Sequence, residues 1–377
     1  MSRSLDRRSF LASTAAAGLI VAGRGAAAET GGLRDKAGRA NCLYGCAVVS
    51  QTLRTDPEFA AAVMTEADIL VPEAELKRIR VQRSPGQLDF WGADFIADFA
   101  ARNGMKMRGH TLVWKDSNPD WLLEALATRP VESLMTDYIE ACCRRYVGRI
   151  QSWDVVNEAI EPNDGRGDGL RTSTPWYQAF GEGYIETAFA AARNFDPTAL
   201  LFYNDYSLEM VGELYDKRRD AVLKLLERLK KKGVPIDGLG IQSHLKPFKF
   251  PFDGEVFGRF LEEVQGLGLK IMITEFDIAD HGGPIDIASR DKLIADVALR
   301  FTDTVLNNSA VIGILTWGLS DRYSWLSSTP AYKWPDGQLS RGLPLDQNLV
   351  RKPFWYSVAQ SLDRHRGRLL LPVVEKP

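Results

Sequence analysis

Long apolar runs are missing from this 377-residue sequence: none reaches the roughly 18 to 20 residues that a membrane-spanning helix needs, which argues against an integral membrane protein. An excess of either charge is missing too. Lysine plus arginine total 47 against 49 acids, a net charge of -2, so no positive field is present to hold nucleic acid or anionic lipid. A neutral or small partner is favoured. Cysteine is scarce, with four in all (Cys42, Cys46, Cys142, Cys143), and the neighbours Cys142 and Cys143 cannot bridge each other without strain, so the chain is no disulfide scaffold. The four histidines, His110, His244, His281 and His365, show no HExxH or paired-Cys spacing, and no cofactor motif occurs. No metal or cofactor is therefore expected. No Gly/Ser-rich or Pro-rich linker divides the chain, which is consistent with one domain from 29 to 377, acting as a monomer.

What is present is ordinary for a folded soluble protein, 45% hydrophobic and 25% charged residues. The first 28 residues run Arg7-Arg8-Ser9-Phe10-Leu11, then a stretch rich in Ala and Gly, then Ala26-Ala27-Ala28. This order of charged, apolar and small residues resembles a twin-arginine export signal, and an ordinary secretory signal would give the same destination, periplasmic or secreted. Cys46 lies within an apolar strand, which suits a small packed thiol. Lys230-Lys231-Lys232 before Gly233 reads as a solvated helix end.

Eight short apolar or β-branched runs recur at residues 43–49, 69–71, 106–113, 152–156, 200–203, 238–242, 270–274 and 311–316. Stretches with helical periodicity lie between most of them, for example 95–102, 131–146, 221–229 and 257–264. Eight strands alternating with helices predict a single α/β (β/α)8 barrel, a TIM barrel, with loops long enough to build a cleft at one end. Polar residues stand at the strand ends: Glu73, His110, Glu158, Asn204, His244 and Glu275, with Trp317 after the last strand.

Two of these carry the chemistry. Glu158 ends the apolar strand Trp153-Asp154-Val155-Val156-Asn157, and Glu275 ends Ile271-Met272-Ile273-Thr274, with Asp277 on the same face two positions on. Far apart in sequence, they can meet only across a barrel. Two carboxyl groups about 5 to 5.5 Å apart suit a nucleophile and a general acid in retaining glycoside hydrolysis, provided that their surroundings keep one ionised and the other protonated. Either glutamate alone is equally well read as a helix cap or an arginine partner. Together with Asn157, His110, His244 and several tryptophans, they are not. Trp153 and Tyr203 fall within strands and read as packing, and His281 and His365 as surface residues.

The runs Arg108-Gly109-His110-Thr111-Leu112-Val113-Trp114, Trp153 to Ala159, Asn204-Asp205-Tyr206, Gln242-Ser243-His244, Ile273 to Asp277, and Trp317-Gly318 with Asp321 and Ser324-Trp325 resemble glycoside hydrolase family 10, mainly endo-β-1,4-xylanases. The resemblance implies a retaining (β/α)8 enzyme with Glu158 as acid/base and Glu275 as nucleophile, acting on β-1,4-xylan or xylo-oligosaccharides. It further implies that Asn157 bonds the sugar 2-hydroxyl, that His244 orients Glu275 with Asp277 behind it, and that Gln242 sits beside Glu158. By the same likeness Lys77 and His110 bond sugar hydroxyls, Trp114, Trp317 and Trp325 wall the cleft, and Tyr206 lines the aglycone side. Trp317 and Trp325 follow the last strand into its loop and are expected to be exposed to the cleft.

The chain departs from the family pattern at two places. Ala74 in Pro72-Glu73-Ala74-Glu75-Leu76-Lys77-Arg78 stands where an asparagine is usual, and Lys115-Asp116-Ser117 replaces His-Ser-Gln. Both remove polar reach from the glycone end, and Arg78 and Lys115 are expected to bring positive charge there, suited to xylan with uronic acid branches. Alternatives left by these changes are a retaining β-glycanase or exo-β-glycosidase of different sugar specificity, and a glycan-binding or sensing protein without turnover; retention of both glutamates speaks against the last.

Overall fold

The computed structural model describes residues 31–370, so the export-signal reading of residues 1–28 lies outside the described residues. Ten strands occur in the described chain: β1 (Leu43–Val48), β2 (Ile69–Pro72), β3 (Lys106–Gly109), β4 (Val113–Trp114), β5 (Ser152–Asn157), β6 (Leu200–Asp205), β7 (Gly238–Ile241), β8 (His244–Leu245), β9 (Lys270–Ile278) and β10 (Val311–Thr316). Eight of them pair in parallel in the order β10-β1-β2-β3-β5-β6-β7-β9, and β9 pairs with β10 to close the ring. This is the predicted (β/α)8 barrel. β4 and β8 are two-residue extensions that pair with β5 and β9. The run read as one strand from 106 to 113 therefore divides. After Gly109 the chain is drawn onto β5, where the Thr111 hydroxyl and the Leu112 N–H both donate to the Asp154 carbonyl, at 3.0 Å each.

Helices cover the outside as their periodicity demands. Trp91–Arg102, Glu213–Lys231 and Gly254–Gly266 contain three of the four stretches read as helical, Ser133–Tyr146 covers all but the first two residues of 131–146, and Gly233 follows the helix that ends at Lys231 with φ +70° as its left-handed stop. The ends of the described chain are fastened together by Glu66. Its buried carboxylate accepts from the Leu33 N–H at 2.8 Å, the Trp355 indole at 2.8 Å and the Arg351 guanidinium at 2.7 Å. Cys42, Cys46, Cys142 and Cys143 are all buried free thiols, and burial pushes Cys42 up to about 11.

The barrel interior is largely apolar, with one ion pair inside it. Ala47, Ile69, Val71, Phe202, Met272 and Leu315 fill it, and the fully buried Arg108 lies among them with its guanidinium 4.7 Å from the Phe202 ring. Arg108 donates to Asp154 and, at 2.7 Å, to Ser152. A charge at this depth is tolerable only when paired and hydrogen-bonded, and Asp154 supplies the pair.

Two irregularities of register decide what reaches the barrel mouth. Along β5, Asp154 pairs with Phe202 but Val156 with Tyr203, so β5 carries one extra residue. Strict alternation after the inward Ser152 and Asp154 would point Val156 inward; the bulge turns Asn157 in instead. Along β9, Ile273 pairs with Ile314 and Phe276 with Thr316, again one residue in excess. Thr274 and Glu275 consequently both face the mouth.

At Gly109 on β3 a methyl group would lie 2.1 Å from Cε3 of Trp153, which is fully buried. Gly109→Ala is therefore expected to lower stability by about 1 to 3 kcal/mol, seen as a fall in the denaturant midpoint at unchanged slope.

Candidate active site

Glu158 and Glu275 converge at the C-terminal mouth of the barrel, 9% and 5% exposed. Three amide side chains connect them. Asn204, at the end of β6, donates from Nδ2 to Glu275 Oε1 at 3.0 Å and accepts from the Thr274 hydroxyl at 2.8 Å. Gln242, after β7, donates to Glu158 Oε1 at 3.0 Å. Asn157 lies between, with partners for either orientation of its amide. One way round, Oδ1 accepts from Asn204 Nδ2 at 3.0 Å and Nδ2 faces Glu158 Oε1 at 3.3 Å. Turned over, Oδ1 accepts from the Trp114 indole at 3.1 Å and Nδ2 donates to the Asn204 carbonyl at 3.2 Å.

The two carboxylates have different surroundings. Behind Glu275 stands His244, with Nε2 3.2 Å from Glu275 Oε2 and Nδ1 3.0 Å from Asp277 Oδ1. Asp277 is itself fixed from the far side by the Trp325 indole at 2.6 Å. Burial pulls the His244 pKa down, but the charges of and hydrogen bonds to Asp277 and Glu275 overcome it and raise the imidazolium to about 10. Burial in turn pushes the Glu275 carboxyl up, and the bond from His244 with the positive charges of His110, His244 and Lys77 outweighs it, leaving Glu275 below its ordinary range. Glu275 is accordingly held ionised. Near Glu158 stand the amides and, 3.6 Å from Oε2, the Lys115 ammonium.

The backbone at Glu158 is left-handed, φ +59°, where a residue with a Cβ is uncommon. Its neighbours hold it there. Glu158 N–H donates to the Asn204 carbonyl at 2.9 Å, its carbonyl accepts from Arg171 Nε at 2.9 Å, and the next N–H, of Ala159, donates to the Tyr203 hydroxyl at 3.0 Å. Arg171 also reaches the Tyr206 hydroxyl at 2.9 Å, while Arg218 lies 4.2 Å from the Tyr206 ring.

On the other side of the mouth, Asp154 joins the barrel floor to the site: one oxygen accepts from Arg108, the other lies 3.0 Å from His110 Nδ1. His110 packs edge-on against Trp317 at 5.5 Å. The Lys77 ammonium stands 5.2 Å from the Trp114 ring and 5.7 Å from that of Trp317, and donates no hydrogen bond among the described residues.

The site residues singled out in the sequence thus gather at this mouth, with Trp317 more deeply buried than expected and Arg78 turned away from it. Trp317 is only 7% exposed; its ring fills the top of the barrel between His110 and His244. Trp325 is half-buried, as is Trp114. Arg78 brings no charge to the cleft: it is buried beneath Tyr138, 4.5 Å away, and bonds Gln82. Lys115 lies beside Glu158, its ammonium 3.6 Å from Oε2. Trp153 and Tyr203 are buried, but each also has a polar task, the Trp153 indole donating to Asp196 at 3.1 Å. His281 is exposed and His365 half-buried against Asn307.

Arg108, Asp154, Arg171 and Thr274 were not foreseen as parts of the site. A charge inside each of two apolar strands was a readable signal for Arg108 and Asp154. Arg171 sits in a loop where nothing local marks it. Among the described residues, no group of three or more His, Cys, Asp or Glu is placed to hold a metal ion, and no helix is long and apolar enough to cross a membrane.

Comparison with known proteins agrees with this geometry. Residues 32–361 match the family model described as glycosyl hydrolase family 10. A curated β-1,4-xylanase of Dictyoglomus thermophilum is 36% identical over 299 residues, covering 76% of this chain and 80% of that protein. The crystal structure of native xylanase 10B from Thermotoga maritima superposes with a TM-score of 0.78 at 31% identity, covering 88% of this chain and 98% of the other. That of xylanase 10B from Thermotoga petrophila RKU-1 in complex with xylobiose gives 0.79 at 30% identity, covering 89% and 98%.

Because the His244 pKa is raised above its unfolded value of 6.5, its contribution to stability is full below about pH 6.5 and is lost as pH rises through about 10. Glu275, lowered in the fold, contributes above its unfolded value of 4.5 and ceases to as pH falls through its lower folded one. Ring NMR should therefore find His244 protonated throughout the neutral range and titrating near 10. In Asp277→Asn the transition should fall by about 1 to 3 pH units. A wild-type transition below pH 7 would contradict the charge arrangement.

Proposed function

The chain belongs to glycosyl hydrolase family 10, and from that premise we propose that it is a retaining endo-β-1,4-xylanase, cleaving internal bonds of xylan through a covalent glycosyl-enzyme. The observation that carries the reading is the division of labour between the two carboxylates. Glu275, ionised against the His244 imidazolium, attacks the anomeric carbon. Glu158 gives its proton to the glycosidic oxygen as the bond to the leaving chain breaks. Glu158, now ionised, takes a proton from water as that water attacks the same carbon and releases Glu275. A charge of oxocarbenium character develops between these steps, and the fixed negative charge of Glu275 lies where it appears.

The remaining residues take roles that their positions suit. Asn157 bonds the 2-hydroxyl of the sugar being cleaved, and rotation of its amide sets what it offers Glu158. Gln242 holds Glu158 by Oε1. His110, directed by Asp154, and Lys77, with its ammonium donors uncommitted, bond glycone hydroxyls. Trp114 and Trp325 give apolar walls to sugar C–H groups, Trp317 the floor between them, and Tyr206 the aglycone side. Arg171 positions Glu158 through its carbonyl. Residues 1–28, with their Arg7-Arg8 pair, direct export to the periplasm or medium, and residues 29–377 act there as one monomeric catalytic domain on xylan or xylo-oligosaccharides.

Purified protein incubated with xylan should release mixed short xylo-oligosaccharides. Glu275→Ala should abolish cleavage of every glycoside. Glu158→Ala should lose about 10² to 10⁴-fold on xylan, yet retain activity on aryl xylosides whose leaving group departs without a proton. Normal xylan turnover in either variant would remove the assignment.

A further inference from the structure

We propose that Arg80 and Arg83 form a second recognition site, beyond the glycone end of the cleft, for a carboxylate-bearing branch of the polysaccharide. The proposal rests on the xylanase reading and extends it to the class of substrate. The short helix Arg78–Val81 follows Lys77 directly and is tied to the loop after β4 by the Ile79 N–H, which donates to the Ser117 carbonyl at 2.8 Å. It therefore sits where Ala74 and Ser117 leave out two long polar side chains. A hollow opens on each side of it. One, of about 310 Å³, is lined by Ala74, Glu75 and Trp91; the other, of about 610 Å³, by Ile79 and Trp121; Arg80 and Arg83 line both. Volumes of this order are those of small-ligand sites.

Both arginines are exposed, and neither guanidinium has a hydrogen-bond or ion-pair partner among the described residues. The nearby acids do not answer them. Glu75 accepts the Ser50 and Ala74 N–H groups, at 2.5 and 3.3 Å, and Asp89 the Trp91 N–H at 3.0 Å; Asp120, on the larger hollow, pairs with neither arginine. A third cation, Arg54, lies 5.4 Å from the ring of Trp91, which is 57% exposed. Two unmatched like charges three residues apart repel each other until an anion comes between them. A planar carboxylate fits the guanidinium fork in two-point contact. The xylose main chain carries no charge, so a uronic acid branch is the part of a decorated xylan that this chemistry selects.

The test compares two xylo-oligosaccharides of equal length, one bearing a uronic acid branch on its glycone-distal sugar. The wild type should show the higher kcat/KM on the branched one. That preference should shrink as the Debye length is cut from roughly 30 Å to 8 Å by raising ionic strength to about 0.15 M. Arg80→Ser/Arg83→Ser should lower the branched-to-unbranched ratio roughly three- to tenfold, and Arg80→Lys/Arg83→Lys should keep part of it. An unchanged ratio, or an equal loss on both substrates, would overturn the site. Calorimetric binding of the branched oligosaccharide to Glu275→Ala, with and without the serine pair, reads the same site without turnover; cleavage of neither substrate by the wild type would count against the xylanase reading, and equal binding to both proteins against this one.

Discussion

Two buried carboxylates cannot share the dry mouth of a barrel without a cation, and here that cation is the imidazolium of His244. It is 3.0 Å from Asp277 and 3.2 Å from Glu275, so one charge is divided between two. Each carboxylate also has one neutral donor, Asp277 the Trp325 indole and Glu275 the Asn204 amide. Glu275 thus keeps its charge while sharing its cation with Asp277. Remove the histidine, and the hydrogen bond and charge that most oppose burial are lost, which moves Glu275 toward the protonated form.

The same logic runs down through the barrel. Arg108 in the apolar interior would be intolerable unpaired, and Asp154 above it would be equally so. Paired, they present the second Asp154 oxygen upward, where it directs His110. Packing, charge and site are one column: Phe202 beneath the guanidinium, then Asp154, then the imidazole, then the edge of Trp317.

Much of this could be read from the residues, because barrel strands announce themselves by short apolar runs and their functional ends by a polar residue that breaks the run. All eight strands and both glutamates were legible for that reason. What composition and periodicity alone do not place has physical causes. Periodicity predicts which way a side chain points only while the register is regular, and both carboxylate strands are bulged, so an alternation rule cannot place Asn157 inward or Thr274 beside Glu275. Arg78 was misplaced because charge alone does not show that aromatic rings will close over a guanidinium, and Arg171 because its partner is a backbone carbonyl far from any motif.

The left-handed backbone at Glu158 bears on how a lineage of such enzymes ages. Glycine would occupy φ +59° without a Cβ penalty, and asparagine more easily than glutamate. The mutational drift most favoured by folding therefore leads away from the carboxylate that the proposed chemistry requires. With Glu158 as the proposed acid/base, stability and catalysis select opposite residues at this one position, so a copy released from selection for turnover would relax into a sturdier barrel that no longer cuts.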